Sequence, residues 1–546
     1  MAQQDLTVPR FLNDMKQKTE KIIRHFTGLI FPAVGFGVVS GVLTGAVITF
    51  YKWCAKHVVA LSVQGYNAIL QNLWLLPVAL VGLFGLAFLF GIIYKRAPEL
   101  RGGGIPTAIA ALRDLITFKW FRNLIGVFLM SMATFLVGVP LGSEGPSVQI
   151  GTAVGLGVRR ATGKKGSAWN RYSMTGGACA GFAVATGAPV SGVMFALEEA
   201  HQRISPMIIL VSATSVVFSC IVAEVLSPVM GVSFALFPAL DVASLAAWEL
   251  WIPVLVGVVV GLGSVLLLKY YEVLKRFVRS IGRVPTWVKI FLVLALTLCV
   301  GLLVPSGVST GHELMLELLS LHAPAIWILL VLLVVRTTLT LSANVNGVTG
   351  GMFLPLLALG ALLASVIAQV LGLLGLGTEY YSVVLVLGIT AAVSGMIKAP
   401  VTAVVFAIEA MGCIDNVLAV IIVSVCSFLI TEMFGAHSVT DSVLEDQVEV
   451  LNKEKERKVI DAFVTVKEGT FAVGKQIRDI LWPVNLFVLS VQRAKTSEVD
   501  EHGGKTMMAG DVLHVRYSTT DERRTRDDLT AIVGEQDYAE READVI

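Results

Sequence analysis

APVSGVMFALEEA at 188–200 and APVTAVVFAIEAM at 399–411 are two copies of one segment. Pro189 pairs with Pro400, Phe195 with Phe406 and Glu198 with Glu409, each 211 positions apart. A second pair, PSVQIGTAVG from Pro146 and PLLALGALLA from Pro355, is separated by 209 positions. Two offsets that nearly agree mark the apolar part of the chain as a duplicated unit. Duplicated units in transporters are often inverted across the bilayer, with substrate held near the midplane by broken helices.

The rest of the chain fits that frame. It has 546 residues, 55% of them hydrophobic and 15% charged, with a mean hydropathy of +0.77. That is the composition of a polytopic membrane protein. Apolar stretches near the length of a bilayer span recur at 26–50, 74–94, 122–141, 205–227, 250–268, 287–304 and 324–342, with more between 351 and 435, so ten or more embedded elements are expected. The net charge of +2 is unevenly spread: Lys and Arg gather at 10–24, 95–101, 159–171 and 269–289, while 226–268 and 304–335 hold neither. The positive-inside rule puts the first set in the cytoplasm and the second outside. Residues 1–25 lack an apolar core, so no cleaved signal peptide is expected, and 8–25 reads as an amphipathic or a solvated basic cytoplasmic helix. The six cysteines are scattered without CxxC or Cys/His spacing, and no metal or redox site follows from them.

Near position 445 the character changes. Charges become frequent and apolar residues fall into short runs such as FVTV, LFVLSV and VLHVRY. The division expected is a cytoplasmic helix (1–25), a membrane transport domain (26–445), a charged linker (446–458), a small soluble β-rich module (459–535) with a helix near 473–480, and a polar end (536–546) that frays.

Within the membrane part three segments read as broken helices: GGGIP at 102–106, the interruption TGAP at 186–189, and GVTGGMFLP at 347–355. Glycine permits unusual backbone angles and proline favours the first helical turn, so each is a loop feeding a helix N-terminus. Such loops are costly in a bilayer unless their free N–H groups face a cavity or a ligand. Helix starts attract anions, and they bind less tightly than a buried Lys or Arg would, which suits cargo that must be released. Close helix packing through small residues is the other reading of each loop. Glu144, in GSEGP at 142–146, is a lone acid in this apolar setting; it either caps its own helix or works as an intramembrane ionisable group. Isolated His residues and the lack of a nucleophile elbow or P-loop lysine give no sign of an enzyme.

GGGIP, GSEGP, GGMFLP and APVSGVMFALEE closely resemble, in order, the signature segments of the CLC chloride channel and transporter family, across about 26–445. The resemblance implies an all-α polytopic membrane domain of inverted-repeat CLC architecture, with a small α+β cytoplasmic C-terminal domain. It also implies a homodimer with a pore in each subunit, located in the cell membrane with both termini cytoplasmic. Glu144 resembles the external gating glutamate and Glu199 the internal glutamate that collects protons. Pairing with Arg203 or interfacial Lys groups is the other reading of these acids, stronger for Glu198 than for Glu199. Gly103, Gly104, Ile105, Met352, Phe353 and Thr440 match the anion-binding positions. Two of them depart from the pattern, Gly103 standing for a serine and Thr440 for a tyrosine. The fluoride-exporting branch alters GxGIP more extensively, whereas Gly102, Gly104, Ile105 and Pro106 are intact here.

The function expected from the resemblance is proton-coupled antiport of chloride, with chloride, other small anions and protons as its partners. A passive chloride channel of the same fold is the alternative, and a potassium transporter or signalling receptor a more distant one. The tail is similar to the TrkA-C module of potassium-transport regulators, which implies a regulatory ligand such as a cyclic dinucleotide, or else a packing module with none. No resident cofactor and no nucleic-acid polymer are expected.

Overall fold

The computed structural model describes residues 30–102, 104–116, 118–162, 168–238, 240, 242–320, 324–451, 458–483, 485–493, 499–500, 506–519, 521–536 and 540–542. Residues 1–25, expected as an N-terminal helix, lie outside them. The first half of the membrane domain contains α1 (Phe31–Gln71), α2 (Leu75–Arg96), α3 (Ile105–Leu112), α4 (Trp120–Val137), α5 (Glu144–Ala161), α6 (Ala168–Thr186), α7 (Pro189–Phe195, continued by a π turn over Ala196–Ala200) and α8 (Pro206–Met230). The second contains α9 (Trp251–Ser280), α10 (Thr286–Leu303), α11 (His312–Leu319), α12 (Ile326–Val345), α13 (Phe353–Leu373), α14 (Tyr381–Ala392), α15 (Pro400–Met411), α16 (Val417–Met433) and α17 (Val439–Leu451). Ten helical segments among the described residues are long and apolar enough to cross a bilayer.

Apolar helices in lipid gain little from hydrophobicity when they meet, so close backbone approach through small residues decides which of them pair. On α1, Gly37, Gly41 and Gly45 face α8, and a Cβ at Gly41 would stand 2.3 Å from the Ser215 carbonyl oxygen. Between α5 and α6, a Cβ at Gly151 would come within 2.1 Å of the Gly177 carbonyl oxygen. Both pairs therefore pack backbone to backbone, and α5 lies almost wholly buried.

The duplicated segments become α7 with its π turn and α15, and they hold each other. The Glu409 carboxylate accepts from the backbone N–H of Val190 (2.7 Å) and Ser191 (2.8 Å) and from the Ser191 hydroxyl (2.9 Å). Glu198 does the same to Val401 (2.9 Å), Thr402 N–H (2.7 Å) and the Thr402 hydroxyl (2.7 Å). Each acid, near the C-terminal end of its own segment, caps the N-terminus of the other, so the two run antiparallel. A carboxylate there satisfies orphan N–H groups and meets the positive end of the helix dipole. Of the readings open for Glu198, pairing with Arg203 is replaced by this cap.

The tail forms β1 (Lys458–Thr465), β2 (Leu486–Gln492), β3 (Val499–Asp500), β4 (Val512–Thr519), α18 (Glu522–Val533) and β5 (Glu540–Glu542). The strands make one antiparallel sheet in the order β3-β2-β4-β1-β5. Ile460, Ala462 and Val464 of β1 pair with Tyr517, Val515 and Leu513 of β4, all buried on one face as the two-residue strand period requires. Leu529, Ile532 and Val533 of α18 complete the core.

Three local expectations are corrected. No α-helix forms over 473–480: Gly474 takes a positive φ of 80°, which stops propagation, and only Ile477–Asp479 makes a 3-10 turn. The module's helix is α18, whose N-cap Asp521 accepts from Arg524 N–H at 3.2 Å. Residues 446–451, read as linker, belong to α17, because their charges are partnered: Asp446 meets Lys275 (3.0 Å) and Arg279 (2.6 Å), and Glu449 meets Arg279 (3.1 Å). Residues 540–542, within the end expected to fray, pair with β1, since a ladder of backbone hydrogen bonds at a sheet edge needs no apolar side chains.

The module docks on the start of α6 and the turn after α3. Tyr172 donates to the Asp479 carbonyl (2.6 Å) and accepts from Leu481 N–H (3.0 Å). Arg171 donates to the Leu481 carbonyl (2.8 Å), Trp169 meets Phe471 edge to face at 5.3 Å, and Arg524 pairs with Asp114.

Candidate anion and proton site

Two of the three loops expected from the sequence, GGGIP and GVTGGMFLP, meet GSEGP at one point, whereas TGAP packs through Gly187 on Ala235 and feeds α7, whose first N–H groups Glu409 takes. Gly142 and Gly351 exchange backbone hydrogen bonds (2.7 and 2.8 Å), while Gly102 donates to Gly347 (2.9 Å) and accepts from Gly350 (2.9 Å). A Cβ on Gly104 would lie 2.7 Å from Gly145 Cα, and one on Gly145 would lie 2.7 Å from Gly351 Cα. Only glycine allows the helix starts to crowd this closely.

Just beyond them is a cavity of about 20 Å³, room for one water-sized occupant. Ile105 and Pro106 of α3, Gly145 of α5, Phe353 of α13 with its N-cap Met352, and Val439 and Thr440 of α17 border it. Four first turns therefore converge, each bringing N–H groups that lack an intrahelical backbone partner and the positive end of a dipole. The fourth, α17, was missed by sequence reading. Its signal was present in Ser438-Val-Thr-Asp441, where Asp441 N–H donates to Ser438 Oγ at 3.0 Å, the pattern of an N-cap.

Phe353 is fixed from behind by aromatic contacts. It lies edge to face with Phe182 (5.2 Å) and Phe406 (5.5 Å), and Phe182 stacks on Phe195 (5.4 Å). The duplicated phenylalanines 195 and 406 thus brace the α13 start from the two halves.

The named residues take different roles. Gly103 lies outside the described residues. Gly104 is not a free donor: its N–H goes to Gln149 Oε1 at 2.7 Å, and at φ 90° it serves the close approach to Gly145. Ile105, Met352 and Phe353 border the cavity. Glu144 is buried at the start of α5; Ser143 donates to its Oε1 at 3.1 Å, and Oε2 has no hydrogen-bond partner among the described residues. Glu199, on the π turn, borders the same cavity. Its backbone carbonyl accepts from Arg113 Nη2 (2.9 Å), and the Ala200 carbonyl accepts from Arg113 Nε (2.8 Å).

Thr440 also borders the cavity, but its hydroxyl is engaged. Its hydroxyl donates to Glu199 Oε1 at 2.9 Å, because a carboxylate is the strongest acceptor within reach of so short a side chain. Asn344 was not singled out from the sequence, yet it borders the cavity. Its Oδ1 accepts from Tyr271 at 3.0 Å, which leaves the amide N–H groups as side-chain donors beside the pocket. A buried amide at the end of an apolar span was the readable sign.

Known proteins share this architecture. The chain is 27% identical over 431 residues to proteins named H(+)/Cl(-) exchange transporter ClcA in Salmonella paratyphi A and Salmonella typhi, covering 76% of this chain and 88% of each relative. A solved slow cyanobacterial Cl-/H+ antiporter superposes with a TM-score of 0.68 at 22% identity, covering 77% of this chain and 99% of that one. A CLC-type fluoride/proton antiporter superposes at 0.60 and 20% identity, covering 74% and 96%. At such identities the superpositions speak for the fold and not for the anion. Residues 85–432 match the family described as voltage gated chloride channel, and the chain is a member of that family, a multi-pass membrane protein of CLC fold.

Proposed function

We propose that the protein is a proton-coupled chloride antiporter. The observation that carries this reading is the single cavity bordered by four helix starts and by Glu199, with Glu144 buried at the first residue of α5. The exchange activity named for relatives that match 88% of their length supports it. Helix-start N–H groups hold the anion without a fixed full charge. Glu144, when ionised, competes with chloride for the positive helix ends; when protonated it loses that attraction and withdraws. Glu199, held by Thr440, passes protons from the cytoplasmic side. The protein works as a homodimer with both termini cytoplasmic, and the soluble module regulates it.

Reconstituted protein tests the reading through chloride and proton flux in vesicles. The wild type shifts its reversal potential under a pH gradient. Glu144→Gln, which mimics the protonated acid, retains anion flux and loses proton movement, and Glu199→Gln loses proton movement as well. A wild-type reversal potential that ignores pH makes the protein a passive channel instead, and normal proton pumping by either variant removes that residue from the mechanism.

A further inference from the structure

Between the soluble module and the membrane domain lies a second cavity, of about 680 Å³, within the range that holds small organic ligands. Its walls come from both domains: the turn after α3, the starts of α4 and α6, the end of α5, and α18 of the module. They carry five Lys and Arg side chains against two carboxylates, Asp114 and Asp528.

We propose that this cavity binds a phosphate-bearing organic ligand, a nucleotide or a phospholipid headgroup, and that its occupancy is sensed at Glu199. The strongest mark of a phosphate site is Arg171, which is 3% exposed. One of its nitrogens is taken by the Leu481 carbonyl. Nη2 stands 3.4 Å from Asp528 and 3.6 Å from Asp114, and neither Nη2 nor Nε has a hydrogen-bond partner among the described residues. A buried guanidinium whose nearest carboxylates pair with it only at 3.4 and 3.6 Å has hydrogen-bond capacity to spare, and phosphate oxygens match its planar fork. Lys119 and Arg160 border the same space and make no ion pair among the described residues. Trp120 and Phe118 add apolar wall for a base or an acyl stem.

The route to the transport site is short. Arg524 of the module pairs with Asp114, and Asp114 sits in a left-handed turn at φ 62°. The preceding residue, Arg113, holds the Glu199 and Ala200 carbonyls. A phosphate that draws Arg524 or Arg171 away from Asp114 loosens this turn and with it the π turn carrying Glu199. This sensing step rests on the exchanger reading, whereas binding does not.

The test uses the full-length protein in two arms: ADP added to vesicles of neutral lipid, and vesicles containing phosphatidylglycerol with no nucleotide. Binding is read as a rise in the unfolding midpoint and transport as chloride flux. The expected result is a higher midpoint and a flux change of about fivefold or more in one arm, which also identifies the ligand's source. Both effects vanish in the double variant Lys119→Glu, Arg160→Glu, which keeps its basal flux. No response in either arm, or a response that survives the double variant, overturns the site. A midpoint shift with unchanged flux overturns the sensing step alone. Binding by a protein that moves no chloride at all counts against the exchanger reading and leaves the site standing.

Discussion

Replacing Thr440 by valine separates two roles for one hydroxyl. The family resemblance implies that residue 440 faces the anion, whereas in the structure Thr440 Oγ1 donates to Glu199 Oε1 at 2.9 Å. Valine keeps the shape and removes only the donor. A hydrogen bond to a charged group contributes about 1.5–3 kcal/mol, so the Glu199 carboxylate loses its hold beside the cavity by about 10- to 150-fold in population. Proton flux in vesicles should therefore fall by at least about tenfold by the same measure, while chloride flux changes little, because the donors proposed for the anion, backbone N–H groups and the Asn344 amide, are all retained. The assay records both fluxes in the same vesicles. An equal fall in chloride and proton flux would show that the hydroxyl serves the anion, and unchanged proton flux would show that its bond to Glu199 does nothing for transport.

Other predictions follow from the packing and the module. Glu198→Ala and Glu409→Ala each orphan two N–H groups and a hydroxyl; each should cost about 3–5 kcal/mol and lower the unfolding midpoint by similar amounts, and a loss confined to one of them would contradict the reciprocal cap. Gly151→Ala forces a Cβ to within 2.1 Å of the Gly177 carbonyl oxygen; it should abolish the monodisperse folded species on gel filtration, and a normal elution profile would contradict the close α5–α6 approach. Burial pushes Lys475 in the module down to about 7, although the Phe471 ring 3.4 Å from Nζ favours its charged form. The unfolded chain titrates near the ordinary lysine value, so between about pH 7 and 10 it holds more protons than the fold, and module stability rises with pH across that window. Calorimetry should show that rise, and Lys475→Met should flatten it; a flat wild-type profile would place the ammonium in water.

Much of the site was readable because its causes are local. Glycine before Ile105-Pro106 and proline in the first turn of α7 and α15 encode broken helices in a few adjacent letters, and the 211-residue repeat encodes the pairing of the two halves. The parts that were not readable depend on long-range partners. Gly104 looked like a donor until Gln149, 45 residues on, took its N–H. The charges of 446–451 looked like a linker until Lys275 and Arg279 of α9 met them. Asn344 carries no motif, and only the fold brings it beside Thr440 and Glu199.

Glu198 and Glu199 show most clearly how the two kinds of information combine. Adjacent residues on a helical turn point in different directions, so the two neighbouring acids reach different partners. One direction from the π turn leads to the α15 start, where Glu198 caps two N–H groups and binds one hydroxyl. The other leads to the cavity, where Glu199 meets Thr440. Because Glu409 has the same capping task in the second repeat but is followed by alanine, the duplication itself separates the two acids: the repeated one caps a helix, and the unrepeated one is the acid to which the antiporter proposal gives the proton. Moving the acid to the equivalent position of the second repeat, as Glu199→Ala with Ala410→Glu, should therefore leave both caps intact and the protein folded, yet abolish proton flux. Surviving proton flux in that variant would mean that protons reach the cavity without Glu199.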